Sequence, residues 1–368
     1  MKNLLLILFS CICIYSCTTS EYEIKGIVDN KALNGTTVFL RQRINRVWTS
    51  IDSTKIENSC FSFHGKADTA KIAYVYYKFS SENPVRQPFI LENGKIAVSI
   101  DTTGFMSFRG TVLNDSLQSY QNAKNTFSKK AEIVYKSLED STNTPEKLSE
   151  LNLKVAKLNQ EEISLDKKYA ISNMNTIVGT FVFTNSFYEM TTAEKESIVN
   201  LMNDKTKQVQ RVKEIIADIE TEKKVAVGKI FTDFKLPSLT GNSIALSDFV
   251  GKTDYVLVDF WASWCGPCMH SLPELKKLYN IYKGTRFEVF GVSLDEDREA
   301  WAGVINSRQL GWKHASDLKG WKCLGSRTYA VNSIPSTVLI NKKGEIVGKN
   351  LTFQEIEKFL TKKNAEKQ

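Results

Sequence analysis

Cys265 and Cys268, separated by Gly266 and Pro267, are the residues whose type and spacing most directly imply chemistry in this chain. Two intervening residues let the second sulfur reach the first across one helical turn, so the pair can pass between dithiol and disulfide. If Cys265 opens a helix, unpaired backbone N–H groups and the positive end of the helix dipole lie beside its sulfur and favour the thiolate. A thiolate attacks a partner's disulfide to give a mixed disulfide. Cys268, deeper in the first turn, then attacks that bridge and releases the partner reduced. Pro267 suits an early helical position, where its missing N–H costs no hydrogen bond. The same spacing also serves as half of a zinc site, with His270, His314 or Cys323 as the candidate further ligands.

The elements that must position these sulfurs can be traced along the chain. Val256-Leu257-Val258-Asp259-Phe260 has the continuous apolar character of a buried strand and leads straight into the cysteines. After them, Leu272, Leu275, Leu278, Ile281 and Tyr282 fall on one side of an amphipathic helix. A strand over Phe287–Val292 follows, then a helix around Glu299–Arg308. Next comes a hairpin of 334–340 with 345–347 around Asn341-Lys342-Lys343-Gly344, and a last helix from Gln354 to Lys362. The order β-α-β-α-β-β-α is the thioredoxin topology, an α/β fold expected over residues 226–368. A strand-turn-helix setting favours redox chemistry over zinc. Two segments precede it. Residues 18–112 alternate over short runs with turns such as Asn34-Gly35 and Glu92-Asn93-Gly94, and predict an antiparallel β domain. Residues 113–225 switch to helical spacing. Thr144 is an N-cap ahead of Pro145, and Leu148, Leu151, Val155, Leu158 and Ile163 form a stripe beyond it. Thr191 to Glu194 form a capping box.

The stretch from Val258 through Cys268 resembles the active-site segment of thioredoxin, and Ile334-Pro335 with Thr337 resembles its cis-proline loop. The lead-in, with Gly228-Lys229-Ile230, Asp233-Phe234 and Leu246-Ser247-Asp248-Phe249, is similar to membrane-anchored thioredoxin-like proteins of the TlpA/ResA type. The 18–112 segment resembles the N-terminal β domain found ahead of such domains in lipoproteins of Bacteroidetes-type bacteria. This resemblance implies roles for further residues. Asp259 matches a buried carboxylate whose raised pKa suits it to take the Cys268 proton; its bland alternative is a satisfied core carboxylate. Pro335 is expected cis and facing the cysteines, leaving the Ile334 backbone to pair with an extended substrate. Trp264 and Trp261 are expected to supply apolar surface around the site. No cofactor is implied. In such proteins a glutamate often stands three residues after the second cysteine; Ser271 stands there here, so that acid–base work is missing or falls to Asp259.

The first seventeen residues read as an address. Met1-Lys2-Asn3 carries one positive charge, the run from Leu4 to Ile14 is nearly all apolar, and Ile14-Tyr15-Ser16-Cys17 resembles a bacterial lipobox. Cys17 is then the lipidated N-terminus and the chain a periplasm-facing lipoprotein of the cell envelope. With Cys11 and Cys13 removed, Cys60, Cys265, Cys268 and Cys323 remain as thiols, too few for a disulfide framework. Cys60 alternates with Phe61 and Phe63 and takes no role; Cys323 reads as a packing residue. Lys and Arg number 49 against 41 Asp and Glu, and this excess of +8 is spread out, without a basic block interleaved with aromatics, so no nucleic-acid partner is expected. The expected partners are disulfide-containing client proteins and, by the resemblance, a membrane-embedded thiol donor. The competing functions are a thiol peroxidase, which would want a Pro-x-x-x-Thr-x-x-Cys loop that is absent before Cys265, and a non-enzymatic adaptor.

Overall fold

A computed structural model describes residues 20–44, 47–78 and 84–362. The expected signal peptide and Cys17 lie outside the described residues. The chain forms two compact units, one made of residues up to 186 with 201–206, the other of 187–200 with 207 onward.

The first unit begins with eight strands: β1 (Tyr22–Val28), β2 (Thr37–Ile44), β3 (Val47–Lys55), β4 (Cys60–Gly65), β5 (Lys71–Lys78), β6 (Pro84–Leu91), β7 (Gly94–Ile100) and β8 (Met106–Arg109). They make two four-stranded sheets, in the orders β4-β1-β7-β8 and β3-β2-β5-β6. The alternation seen in the sequence is the cause. In β4 Phe61 and Phe63 are buried while Cys60 and Ser62 are exposed, and the inward residues of both sheets join one core with Ile24, Val38, Val75, Phe89 and Val98. Every pairing is antiparallel except β1 with β7, which is parallel. Three helices follow in this unit, α1 (Val112–Leu138), α2 (Pro145–Ser172) and α3 (Ile177–Ser186). Buried amides tie α1 to the strands: Asn114 Oδ1 accepts from Ile90 N–H at 2.9 Å and Gln118 Oε1 from Phe108 N–H at 2.7 Å. Thr144 caps α2 as expected, its hydroxyl accepting from Lys147 N–H at 3.3 Å.

Helices α4 (Thr192–Leu201), α5 (Asp204–Lys207) and α6 (Gln210–Lys224) complete the helical segment. The Thr191–Glu194 capping box forms, with Thr191 N–H donating to the Glu194 carboxylate at 2.9 Å and Glu194 N–H to Thr191 Oγ1 at 3.3 Å. None of the described helices is long and apolar enough to cross a membrane.

The second unit is built on a five-stranded sheet. A short hairpin of β9 (Lys235–Pro237) and β10 (Ser243–Ala245) precedes β11 (Tyr255–Trp261), α7 (Gly266–Tyr282), β12 (Phe287–Ser293), α8 (Arg298–Arg308), β13 (Lys313–Ala315), α9 (Leu324–Thr328), β14 (Ser336–Asn341), β15 (Ile346–Lys349) and α10 (Phe353–Thr361). The sheet order is β13-β12-β11-β14-β15, with β12 and β13 parallel to their neighbours and β14 and β15 antiparallel. This is the thioredoxin fold with an added edge strand, β13. Central β11 is buried on both faces from Val256 to Trp261, which is why its sequence lacks alternation. On one face Phe290 of β12 stacks with Phe234 and Phe249. On the other Tyr255 meets Phe359 of α10 edge-on. Arg286 closes the unit by donating to Leu360 O and Lys362 O at the end of α10.

Candidate active site

Cys265 is the N-cap of α7. Its backbone is extended at φ −84° and ψ 98°, and its sulfur accepts from Cys268 N–H at 3.2 Å. That N–H is one of the donors a helix leaves unpaired in its first turn, so the local fold aims a backbone dipole at the sulfur. Pro267 sits in the same turn, where no donor is lost. Cys265 and Cys268 are joined in a disulfide with Cα atoms 5.2 Å apart. The sulfur-bearing residues are only 4% and 1% exposed, whereas Gly266 and Pro267 between them face solvent.

Two other strands bring their residues to this turn. Ile334-Pro335 is a cis peptide at the start of β14. Because Ser336 pairs with Phe260, the cis-proline stands beside the end of β11 from which the cysteine turn departs. Asn350 fastens this loop, its Oδ1 accepting from Ser336 Oγ at 2.8 Å and from Thr337 N–H at 2.9 Å. Among the described residues no backbone hydrogen bond engages Ile334. Asp259 lies on β11, buried, and burial pushes its pKa up to about 7.

Three comparisons bear on this arrangement. The profile of the AhpC/TSA family matches residues 227–349, and a domain of unknown function, DUF4369, matches residues 22–117. Thiol-disulfide oxidoreductase ResA of Bacillus cereus is 33% identical over 144 residues, spanning 38% of this chain and 80% of that protein. The ResA of Geobacillus kaustophilus is 33% identical over 150 residues, 40% of this chain and 83% of that protein. The chain belongs to the AhpC/TSA thioredoxin-like thiol-disulfide oxidoreductase family. Among solved structures, the thioredoxin domain of a thiol-disulfide oxidoreductase from Bacteroides vulgatus is similar at 32% identity, with a TM-score of 0.34, over 37% of this chain and 99% of that one.

As a thiol-disulfide oxidoreductase the protein exposes less of one expected residue and more of another. Trp261 supplies no surface: it is 0% exposed, because it belongs to β11 and its ring lies edge-on to His314 with centroids 5.6 Å apart. The apolar surface beside the dithiol comes from Trp264, 56% exposed, and from Trp321, whose rings lie 6.2 Å apart. Trp321 was not singled out by sequence reasoning; its place beside Trp264 depends on the β13–α9 connection, which carries no periodic signal. Cys323 is fully buried and burial raises its thiol pKa. Cys60 is an exposed free thiol on the outer side of β4, and His270 is exposed on α7. Ser271, in the place of the expected glutamate, donates to Cys268 O at 2.9 Å.

Asp295 is the main residue that the sequence did not flag. It is 1% exposed at the end of β12, and its carboxylate accepts from Ser263 N–H at 3.0 Å, Ser263 Oγ at 2.5 Å and Ser293 Oγ at 2.7 Å. These bonds clamp the 262–264 loop that carries the dithiol. Asp295→Ala is expected to lower stability by about 3 kcal/mol, since it leaves several buried donors unpaired, and to slow disulfide exchange. Denaturant unfolding checks it; an unchanged midpoint would remove Asp295 from the support of the site.

Burial of Asp259 has a thermodynamic sign. The folded chain keeps this proton to a pH of about 7, the unfolded chain only to about 3.9. Stability therefore falls as pH rises between those values, by about 4 kcal/mol in all. Asp259→Asn abolishes that slope, so the variant should be more stable than the native chain at pH 8 and no different below pH about 4. Urea unfolding of the oxidised forms at both pH values checks it; equal stabilities at pH 8 would contradict a burial penalty on the carboxylate.

Proposed function

We propose that this thiol-disulfide oxidoreductase is anchored by lipid at Cys17 and reduces disulfides of proteins outside the cytoplasm. The observation that carries the proposal is the Cys265–Cys268 pair capping α7, with Asp259 buried on the preceding strand and a cis Pro335 beside them. The client chain lies extended along Ile334 and over Trp264. The Cys265 thiolate attacks one client sulfur, forming the mixed disulfide and expelling the other as a thiolate that takes a proton from water. Cys268 gives its proton to the Asp259 carboxylate and attacks Cys265 Sγ, leaving the Cys265–Cys268 disulfide and expelling the second client sulfur as a thiolate, which takes up the proton that Asp259 then gives back. A membrane-embedded thiol donor returns two electrons and two protons to the pair. Support for the address comes from the apolar run 4–14 and the lipobox-like Ile14–Cys17.

Insulin-disulfide reduction and hydrogen peroxide consumption, measured at equal enzyme, test the activity. Insulin should be reduced and peroxide left untouched; the reverse would make the protein a peroxidase, and neither activity would make it an adaptor. In cells, the native chain should partition with membranes and Cys17→Ser should not. Membrane partition unchanged by Cys17→Ser would overturn the anchor.

A further inference from the structure

His314 is a buried titratable group with no part in the chemistry above. It is 6% exposed, and neither ring nitrogen has a hydrogen-bond partner among the described residues. A neutral imidazole carries one donor and one acceptor, and a buried pair of unmet polar atoms in a native interior asks for an explanation.

Register supplies the setting. Asp259 of β11 pairs with Gly291 of β12, and Gly291 pairs with His314 of β13. The three stand in one row across parallel strands and so share a face. Trp261, two residues beyond Asp259 and on the same face, meets the His314 ring, which fixes that face independently. The middle residue is glycine, and a Cβ there would stand 2.4 Å from His314 Nδ1 and 2.9 Å from Cε1. The imidazole thus occupies the place a side chain at 291 would take. From that place to the Asp259 Cβ is about one strand spacing, ~4.8 Å. Neither ring nitrogen bonds a protein atom among the described residues, so a link across this gap runs through a single water.

We propose that His314 is a positioning residue for the dithiol reaction, whose ring N–H reaches the Asp259 carboxylate through one bridging water and keeps that buried group able to receive the Cys268 proton. This rests on Asp259 being the proton acceptor for Cys268. The imidazole's own proton count does not change: the proton leaves Cys268 Sγ for an Asp259 oxygen. Burial pushes the His314 pKa down to about 3, so the ring stays neutral throughout. The neutral indoles of Trp261 and Trp312 share this face, their Nε1–H groups without a partner among the described residues, and few titratable groups do. Asp295 is engaged by Ser263 and Ser293, and on α7 Tyr279, its pKa raised to about 12 by burial and by Glu288, stays neutral. Lys313 is exposed on the other side of β13.

The test is an infrared titration of the Asp259 carboxyl in the full chain, its band identified by loss in Asp259→Asn. In His314→Leu the midpoint should rise by about one pH unit or more, because the carboxylate loses its donor in an apolar site. Insulin reduction at pH 7 should fall about fivefold and recover as the pH is raised. His314→Gln, whose amide retains a donor, should restore the native midpoint. An Asp259 midpoint unmoved in His314→Leu overturns the proposal. A midpoint that moves while Asp259→Asn reduces insulin as fast as the native chain at pH 7 overturns instead the acceptor role on which the proposal rests. If His314→Leu does not fold, nitrogen NMR of the native chain, which has 3 histidines, decides. A His314 ring signal should follow the Asp259 titration and stay flat in Asp259→Asn; a flat signal in the native chain overturns the pairing.

Discussion

Cys268→Ala is expected to accumulate a covalent adduct between Cys265 and each client protein, and to lower turnover on the order of a thousandfold or more. The first half of the reaction needs only the Cys265 thiolate, and the groups that favour it remain: the N-cap position on α7 and the backbone N–H of residue 268, which points at Sγ from 3.2 Å. The second half needs a thiol in the first turn of that helix, and the variant has none. Within the same unit the remaining thiol is Cys323, fully buried and with its pKa raised by burial, so it cannot resolve the bridge. The adduct should survive non-reducing electrophoresis, disappear on adding dithiothreitol, and name the clients by mass spectrometry. Cys265→Ala should trap nothing, because Cys268 is 1% exposed and meets no client directly. Equal adducts from the two variants would show that Cys265 is not the attacking sulfur.

That expectation could be written from the sequence because the parts it needs are local. A Cys-x-x-Cys between an apolar strand and an amphipathic helix fixes its own geometry within one turn, and the structure has Cys265 at the N-cap with Pro267 just inside. The alternation of Phe61 and Phe63 against Cys60 was equally legible, since a period of two is a short-range signal. What could not be read depends on partners far apart in the chain. Trp261 looked like a surface residue because it adjoins the motif, yet β11 continues through it between β12 and β14, and its ring is buried against His314. Asp295 lies 32 residues from Ser263, and the exposed-looking Leu-Asp-Glu-Asp run gave no hint that its first carboxylate is buried. His314 had been weighed only as a zinc ligand. Its row with Gly291 and Asp259 exists because β13, an edge strand of three residues, pairs with β12, and no pattern so short predicts its own register.

The redox potential of the Cys265–Cys268 pair is expected near that of thioredoxin, about −270 mV, and far from the strong periplasmic oxidants at about −120 mV. The separation of about 150 mV is roughly 7 kcal/mol for two electrons, so the outcome assigns direction unambiguously. Poise is set by how strongly the fold favours the reduced, thiolate form over the disulfide. Here Cys265 has the helix N-terminus and one backbone N–H, and the two residues between the sulfurs add nothing more. Gly266 has no side chain, and a Cβ there would meet nothing within 4 Å. Pro267 has no donor. A histidine or other cation at either place would stand beside the sulfur and pull the potential toward the oxidants; none is present. On the acceptor role proposed for it, the buried Asp259 works in the same direction, since a nearby carboxylate opposes a second negative charge. Gly266→His should therefore raise the potential by tens of millivolts, as the open space at 266 accepts the ring without repacking. Equilibration against glutathione or dithiothreitol buffers measures both forms. A native potential above about −180 mV, the level of the disulfide isomerases, would make the protein an oxidant or isomerase and reverse the direction of electron flow proposed for it.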